Sequence, residues 1–228
     1  MTNIDQAFGA VAATYDQVRT ALIPDYDDVY GAALSVLVPN LSNGGRILDV
    51  GAGTGAFAAE LANDCPVCTF VLADISEEML EQAKSKFEGD DRFSFVQGNV
   101  ISDPMPGPFD AVISSYVIHH MSDGEKAAIF KRIAGALKPG GLFVSVDQFT
   151  TECEVRDEAL LHDWLEDCRQ AGAGKEDLDA AISRMEQFDQ NATIEDQLDW
   201  LCDGGFASAE TIYRKYFWAV FVARKPSS

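Results

Sequence analysis

The chain has 228 residues, of which 47% are hydrophobic, and its length suits one domain with a full core. Its 37 acidic and 17 basic side chains give a net charge of −20. Such a surface repels phosphate backbones, and the basic residues are scattered, so the composition argues against direct nucleic-acid binding, although adaptation for solubility produces the same excess.

Two helices are predicted ahead of the first strand. Apolar residues recur with a helical period from residue 4 to residue 20 and again from Tyr26 to Leu37, and Pro39 is expected to close the second helix. We expect residues 1–40 to form a helical cap over a ligand site that the rest of the chain, 41–228, provides. The sequence has no basic-plus-apolar leader and no apolar run near the roughly 20 residues of a membrane span, which predicts a cytoplasmic protein without membrane contact.

The most informative segment is a strand that leads into a glycine loop. A strand with the apolar residues Ile47, Leu48 and Val50 runs into Gly51-Ala-Gly53-Thr-Gly55, and an alanine-rich helix follows at once. Alternating glycines let the backbone turn tightly and approach a ligand without an intervening Cβ, while the helix start directs free N–H groups toward it. The loop therefore predicts a nucleotide-like cofactor, either a nicotinamide dinucleotide or S-adenosylmethionine.

Two carboxylates favour S-adenosylmethionine. Asp49 lies inside the first strand, where an uncompensated negative charge is costly to bury, and it suits a cofactor with an ammonium and a sulfonium better than a pyrophosphate. Asp74 ends the second predicted strand, Phe70–Asp74, where it can accept hydrogen bonds from ribose hydroxyls. The alternative for Asp74 is capping of the next helix.

Strands and helices alternate along the rest of the chain, which predicts a doubly wound parallel sheet. The predicted elements are a helix capped by Ser76 and ending near Gly89, strands at 92–97 and 110–114, a helix from Ser122 to about Lys138, a strand at 141–147, charged helices at 155–185 broken by Gly172 and Gly174, a helix capped by Thr193 and ending at Gly204, and a hairpin at 208–213 and 216–223.

Two later motifs carry a family resemblance. Phe109-Asp-Ala-Val-Ile-Ser-Ser115 and Leu137-Lys-Pro-Gly-Gly141 follow the glycine loop in the order and at the distances of class I S-adenosylmethionine-dependent methyltransferases, which the chain resembles from about residue 40 to residue 150. The resemblance implies a Rossmann-like, doubly wound, mostly parallel seven-stranded α/β sheet with an antiparallel C-terminal hairpin, an N-terminal helical cap and a helical insertion at about 152–190. It also implies S-adenosylmethionine as cofactor and methyl transfer to a small molecule.

The same resemblance implies which residues hold the cofactor. Gly51, Gly53 and Gly55 would line its methionine end, and Asp49 would hold its ammonium. Asp74 would bind the ribose, and the adenine would contact Ile75, Asn99 and Val100. Ser114 and Ser115 lie at the strand switch point, where ligands bind in open α/β sheets. The family often has Asp where Asn99 stands, but an Asn oxygen can still accept from the adenine amino group.

Two adjacent histidines, His119 and His120, follow the fourth predicted strand. A neutral imidazole there could take a proton from an acceptor hydroxyl or amine, and His120 is the preferred catalytic candidate. The alternative is that both histidines only pack or hydrogen-bond the loop.

Ala13-Thr-Tyr15-Asp-Gln-Val-Arg19 and Leu22-Ile-Pro-Asp-Tyr26 resemble segments of methyltransferases related to the tRNA wobble-uridine carboxymethylation enzymes, and the blocks Thr193–Phe206 and Tyr213–Arg224 resemble the tail of carboxy-S-adenosylmethionine synthases. That resemblance would place Tyr15, also a catalytic candidate, and Arg19 over the cofactor; for Tyr15 the alternative is burial in a cap helix. Arg184 lies nine residues before Thr193, where the synthases hold a substrate carboxylate, in a homodimer. A surface pair with Glu186 is the alternative.

The acceptor is left open by the sequence. Aromatic candidates for its pocket, which are equally candidates for the core, are Phe8, Tyr15, Tyr116, Trp164 and Trp218, with Tyr116, Trp218 and Arg184 expected to bind substrate. The main prediction is methyl transfer to a small molecule at an O, N, S or C atom. The alternatives are a synthase that acts on S-adenosylmethionine and prephenate, and a non-catalytic, cofactor-binding regulator.

The cysteines predict neither disulfides nor a metal site. The five cysteines are odd in number and have no framework spacing, which suits reduced thiols. Cys65 and Cys68 form a single C-x-x-C pair, and no second pair completes a zinc site. We therefore expect no bound metal.

Overall fold

The structure, a computed structural model, describes residues 21–41, 43–105 and 107–228. The helix predicted at residues 4–20 lies outside the described residues. In chain order the elements are α1 (Tyr26–Leu41), β1 (Arg46–Val50), α2 (Ala56–Asp64), β2 (Thr69–Asp74), α3 (Glu77–Lys86), β3 (Phe93–Gln97), β4 (Phe109–Ser115), a short 3₁₀ helix (Ile118–His120), α4 (Asp123–Ala136), β5 (Leu137–Gln148), α5 (Glu154–Gln170), α6 (Lys175–Phe188), α7 (Ile194–Asp203), β6 (Ser208–Lys215) and β7 (Trp218–Arg224).

The seven strands form one sheet in the order β3-β2-β1-β4-β5-β7-β6. The first five are parallel, whereas β7 pairs antiparallel with β5 and β6 antiparallel with β7. This confirms the predicted mostly parallel sheet with an antiparallel C-terminal hairpin. Because parallel strands end at the same edge, the carboxyl ends of β1, β2, β4 and β5 share one side of the molecule.

Helices cover both faces of the sheet, so the central strands are buried on both faces. In β1 every residue after Arg46 is buried. One face packs against α1, α2 and α5 through Tyr30, Phe57 and Trp164, and the other packs against α4 and α7 through Phe130 and Leu201. These two cores hold the strand ends in a fixed relation to one another.

Two predicted boundaries are wrong. Helix α1 does not close at Pro39 but continues to Leu41. A proline so near the end removes only one helical hydrogen bond, and Asn40 Nδ2 donates to the carbonyl of Val36 at 2.8 Å. The fifth strand begins at Leu137 rather than at 141, because Leu137 pairs with Phe109 across a bulge.

Helices α5 and α6 lie between β5 and α7, within the range predicted for the insertion. Their ends agree with the predicted break, since Gly172 adopts a φ of +95° between them. The division into a cap and a main domain stays a prediction. Among the described helices, none is long and apolar enough to cross a membrane.

Candidate active site

The glycine loop follows β1 and has backbone angles that residues with a side chain rarely adopt. Gly51 has a φ of +67° and Gly53 a φ of +54°. A Cβ on Gly51 would come within 2.5 Å of both methyl groups of Val117, which follows β4. Gly51 is therefore required both by its φ and by the close approach of the loop after β4.

Gly53 and Gly55 differ in what surrounds them. Apart from its own chain neighbours, no described residue has an atom within 4 Å of the position that a Cβ on Gly53 would take, so the described part of the chain leaves this side of the loop open. The corresponding position on Gly55 is filled by Phe87 and Leu72, at 2.6 and 2.8 Å. Gly55, which caps α2 with a φ of +76°, therefore serves packing on that side, while Gly53 faces open space.

Asp74 fixes the glycine loop from the end of β2. One carboxylate oxygen accepts the Gly53 amide at 2.7 Å, and the other accepts the Ser76 amide at 2.8 Å. Burial raises the pKa of Asp74 and outweighs these two amides, which act to lower it. The helix cap itself is Ser76, whose Oγ accepts from Met79 N, so Asp74 is not the N-cap residue of α3.

The other predicted cofactor residues surround the same edge. Asp49 is 1% exposed, one residue before the end of β1. Ile75 is half-buried after β2. Asn99 Oδ1 accepts the Ile101 amide at 2.9 Å and its own amide donates to Asp103 at 2.8 Å, which shapes the turn that also holds half-buried Val100.

The end of β4 holds two serines with different environments. Ser114 is fully buried, and its hydroxyl donates to the Val50 carbonyl at 2.9 Å, so it ties β4 to β1. Ser115 is half-buried at the strand end. Tyr116 follows with a φ of +56° and packs edge-on against Trp218, with ring centroids 5.8 Å apart. Trp218 itself is buried, and its indole N–H donates to Asp25.

His119 is buried and joined to the end of β5. Its Nδ1 lies 2.5 Å from Oδ1 of Asp147, whose carboxylate also accepts the amides of Ile118 and Gln148 at 2.8 Å. Burial acts to lower the pKa of His119, but the charge and hydrogen bond of Asp147 outweigh it and the pKa is raised. Burial acts to raise the pKa of Asp147, and His119 together with the two amides lowers it.

The remaining nitrogen of His119 faces two partners. Nε2 lies 3.3 Å from Gln148 Nε2 and 3.5 Å from Asp189 Oδ1. In the neutral imidazole, Nε2 can accept from Gln148; in the protonated form, it can donate toward Asp189. The protonation state of His119 therefore decides which of these two side chains it binds.

His120 is the more accessible histidine. Its side chain is 13% exposed, against 3% for His119, and its Nδ1 lies 3.2 Å from Asp189 Oδ1. Burial, together with the charge of His119, lowers the pKa of His120. It is therefore neutral at neutral pH, which is the state a general base needs.

Lys126 completes this group of charges. It is 1% exposed and its Nζ contacts the Gln190 carbonyl and Asp123. Lys126 thereby joins the start of α4 to the segment after α6. The ligand atoms of His119, His120 and Asp189 lie within 4.8 Å of one another, a spacing that could also hold a cation.

Other predicted residues are not part of this group. Tyr15, Arg19 and Phe8 lie outside the described residues. Arg184 is half-buried on α6 and forms no hydrogen bond or ion pair with any residue in the described ranges, Glu186 included. Trp164 is buried, and its N–H donates to the Leu22 carbonyl at 2.8 Å.

Sequence reasoning missed Asp147, Gln148 and Asp189. Asp147 had a signal, since a carboxylate at the end of an otherwise apolar strand needs a partner. Asp189 had none, because it comes from the segment after α6, and the sequence does not reveal that this segment docks on the histidines. The docking is shown by Gln190, whose amide donates to the His119 carbonyl at 2.8 Å and whose Nε2 donates to the His120 carbonyl at 3.1 Å.

Comparisons with known proteins agree with this geometry. A family described as "Methyltransferase domain" matches residues 47–141, from β1 to the start of β5. The carboxy-S-adenosyl-L-methionine synthase of Nautilia profundicola is 23% identical over 216 residues, which cover 94% of this chain and 92% of that one. The demethylmenaquinone methyltransferase of Clavibacter sepedonicus is 34% identical over 149 residues, 65% of this chain and 58% of that enzyme.

Solved structures show the same fold. The complex of DhpI with SAH superimposes with a TM-score of 0.68 at 18% identity and covers 98% of this chain and 96% of that one. Human N-acetylserotonin methyltransferase in complex with SAM gives a TM-score of 0.62 at 21% identity, over 94% of this chain and 58% of that one. Residues 47–141 therefore match a methyltransferase domain, and the sheet that contains them has the fold of these solved methyltransferase structures.

The geometry of the glycine loop fits S-adenosylmethionine. The open side of Gly53 leaves room for a ligand against the backbone, and α2, which begins after Gly55, directs its first N–H groups toward the loop. Asp49 would attract the ammonium and repel a pyrophosphate, and Asp74 can accept from ribose hydroxyls. The site therefore suits the cofactor in both shape and charge.

Proposed function

We propose that this protein transfers a methyl group to a small-molecule acceptor held at the carboxyl edge of the sheet. The observation that carries the proposal is Gly53, which is open on one side and held by Asp74 on the other. When bound, S-adenosylmethionine supplies a methyl group already activated by its sulfonium leaving group. The protein's own task is to align the acceptor and exclude water, and orientation alone contributes several kcal/mol.

Each predicted cofactor residue has a role that its position supports. Buried Asp49 would hold the ammonium, and each oxygen of Asp74 keeps lone-pair capacity for ribose hydroxyls after accepting one amide. Ile75, Asn99 and Val100 would contact the adenine from the turns after β2 and β3. Tyr15 and Arg19 are proposed to lie over the cofactor on the resemblance alone.

His120 is the proposed general base for an acceptor that must lose a proton. Its lowered pKa keeps it neutral at pH 7, and Asp189 orients its ring through Nδ1. His119, more deeply buried and bound to Asp147, is proposed as a positioning residue. In this proposal His120 takes the proton, and His119 holds the loop that carries it.

Replacing His120 with glutamine should lower kcat by about 10²- to 10⁴-fold, the usual contribution of a general base, while S-adenosylmethionine affinity changes little. Release of demethylated cofactor in the presence of a metabolite mixture measures the rate, and calorimetry measures the affinity. The matched control is His162→Gln, which removes an exposed histidine from α5. An unchanged kcat in the His120 variant would rule out the base role.

A second candidate function is synthesis of a carboxylated S-adenosylmethionine. Similarity to the Nautilia synthase extends over most of both chains. Arg184 is half-buried and not paired with any described acid, so its guanidinium is available for a carboxylate. That role, and the homodimer it implies, stay proposals.

Mass spectrometry of the ligand carried through purification separates the two functions. Methyl transfer predicts unmodified S-adenosylmethionine or its demethylated product. A carboxylated cofactor that disappears in the Arg184→Ala variant would establish the synthase function instead. Arg169→Ala is a control that removes an arginine from the neighbouring α5.

We further propose that the enzyme works in the cytoplasm and does not bind nucleic acid directly. The net charge of −20 repels phosphate backbones. A gel shift with tRNA at low salt should show no complex, because weak phosphate contacts are strongest there. A robust shift that salt removes would contradict this and favour a tRNA substrate.

A further inference from the structure

A cavity opens at the carboxyl end of β5, beside helices α5 and α6. Its volume is about 540 Å³, enough for a small organic molecule. It lies at the same edge of the sheet as the glycine loop, because β5 runs parallel to β4, whose following loop contacts Gly51. A molecule in this cavity would therefore lie at the same edge of the sheet as the cofactor loop.

The inner wall of the cavity is apolar. Phe149 follows β5, Phe217 comes from the β6–β7 turn, and Leu161 and Met185 project from α5 and α6. Phe149 and Phe217 are buried in the core, so their rings form a fixed wall rather than a mobile one. This wall suits the hydrocarbon or aromatic body of a ligand.

The rim of the cavity is acidic. Glu152, Glu154 and Glu158 line it, and none of them forms a hydrogen bond or ion pair with a described residue. Asp157 also lines it, but its carboxylate is occupied by the Thr150 hydroxyl at 2.6 Å and the Thr151 amide at 2.9 Å. Among the described lining residues there is no Lys, Arg or His, so the rim carries uncompensated negative charge.

Asn191 connects the cavity to the histidines. It lines the cavity, and its Nδ2 donates to Gln148 Oε1 at 3.3 Å. The Nε2 of Gln148 in turn lies 3.3 Å from Nε2 of His119. The cavity is therefore joined through two side chains to the histidine pair.

We propose that this cavity binds the acceptor, and that the acceptor is an organic cation: a protonated amine or quaternary ammonium on an apolar body. The inference rests on the proposed methyl transfer and adds the substrate class. Carboxylates hold the cationic end, and the aromatic wall holds the body. A dianion such as prephenate would be repelled by the same rim.

Binding to three matched probes tests the proposal without relying on turnover. Tryptamine is the cation, its alcohol analogue tryptophol is neutral, and indole-3-propionate is the anion. Calorimetry is done with the full chain saturated with S-adenosylhomocysteine. We expect tryptamine to bind at least tenfold tighter than tryptophol, and indole-3-propionate not to bind.

Isosteric variants locate the binding. A triple variant should weaken tryptamine binding about tenfold and leave the affinity for tryptophol unchanged. It combines Glu152→Gln, Glu154→Gln and Glu158→Gln. A control triple variant changes the net charge equally at exposed residues outside the cavity lining, and it should change tryptamine affinity little. It combines Glu88→Gln, Glu176→Gln and Glu195→Gln. Equal losses in both triple variants, tighter binding of the anion, or no tryptamine binding would each overturn the proposal. Binding of S-adenosylhomocysteine is measured first. A protein that binds S-adenosylhomocysteine but not tryptamine contradicts the cation site alone, whereas a protein that does not bind S-adenosylhomocysteine contradicts the proposed function.

Discussion

Replacing Gly53 with alanine is expected to abolish tight S-adenosylmethionine binding while the protein stays folded. The φ of +54° costs an alanine roughly 1–2 kcal/mol, and no described atom collides with its Cβ. The Cβ instead fills the open space against which the cofactor would lie. Calorimetry should show a loss of affinity greater than tenfold, while urea unfolding shows only the small backbone cost.

Gly51→Ala should have a different result, because its Cβ would meet the methyl groups of Val117 at 2.5 Å in addition to the strain of φ +67°. Strain and overpacking together predict a loss of roughly 2–5 kcal/mol in unfolding free energy. Gly135→Ala, in the open on helix α4, is the control and should be neutral or slightly stabilising. Unchanged cofactor affinity in the Gly53 variant would contradict the placement of the cofactor.

Removal of the Asp147 carboxylate is expected to be the most destabilising single change at the site. Asp147 accepts from His119 and from two backbone amides, all buried. Asp147→Ala leaves these donors unpaired, which predicts a loss of about 3–5 kcal/mol in unfolding free energy. Asp179→Ala, which breaks an exposed pair with Lys175, should change stability little.

The His119–Asp147 pair should also make stability depend on pH. The pKa of His119 is raised in the folded state, so its contribution is complete below its unfolded pKa of about 6.5 and is lost as pH rises through the folded value. The pKa of Asp147 is lowered, so its contribution is present above about 3.9 and lost as pH falls through its folded value. The window of full stabilisation lies between about pH 4 and 6.5.

The pH dependence of His119 is measured in a background without His120, because the lowered pKa of His120 changes stability with pH in the opposite direction. Lys126 and Asp189 also face the pair, and both residues are present in each of the two variants compared. Urea unfolding of His120→Gln and of the double variant with His119→Gln should give a stability difference that is largest near pH 5.5 and shrinks toward pH 9. A difference that grows with pH would contradict a raised pKa for His119.

The fold was predictable because its local signals agree with one another. The positions of the glycine loop, the Ser76 and Thr193 caps and the strand alternation depend on residues close in sequence, and the structure confirms them. The errors at Pro39 and Leu137 concern boundaries. There, a single lost helical bond was tolerated and a long-range pairing with Phe109 extended the strand.

The candidate site was only partly predictable. Asp74 and Gly53 were each predicted beside the cofactor, but the hydrogen bond between them joins the ends of two strands and was not predicted. The network around the histidines was not predicted either, because it joins the end of β5 to the segment after α6, more than 40 residues later in the chain. The acidic cavity likewise depends on how α5 and α6 dock against β5, which no local pattern encodes.

The most direct test of the central claim is transfer of a labelled methyl group. The purified protein is incubated with S-adenosylmethionine carrying a trideuterated methyl and a small-molecule extract, and the products are analysed by mass spectrometry. We predict a small molecule that gains the trideuterated methyl in step with the release of S-adenosylhomocysteine, and no such product with the Gly53→Ala variant. Consumption of the cofactor that yields only a carboxylated S-adenosyl compound, with no labelled acceptor, would contradict it.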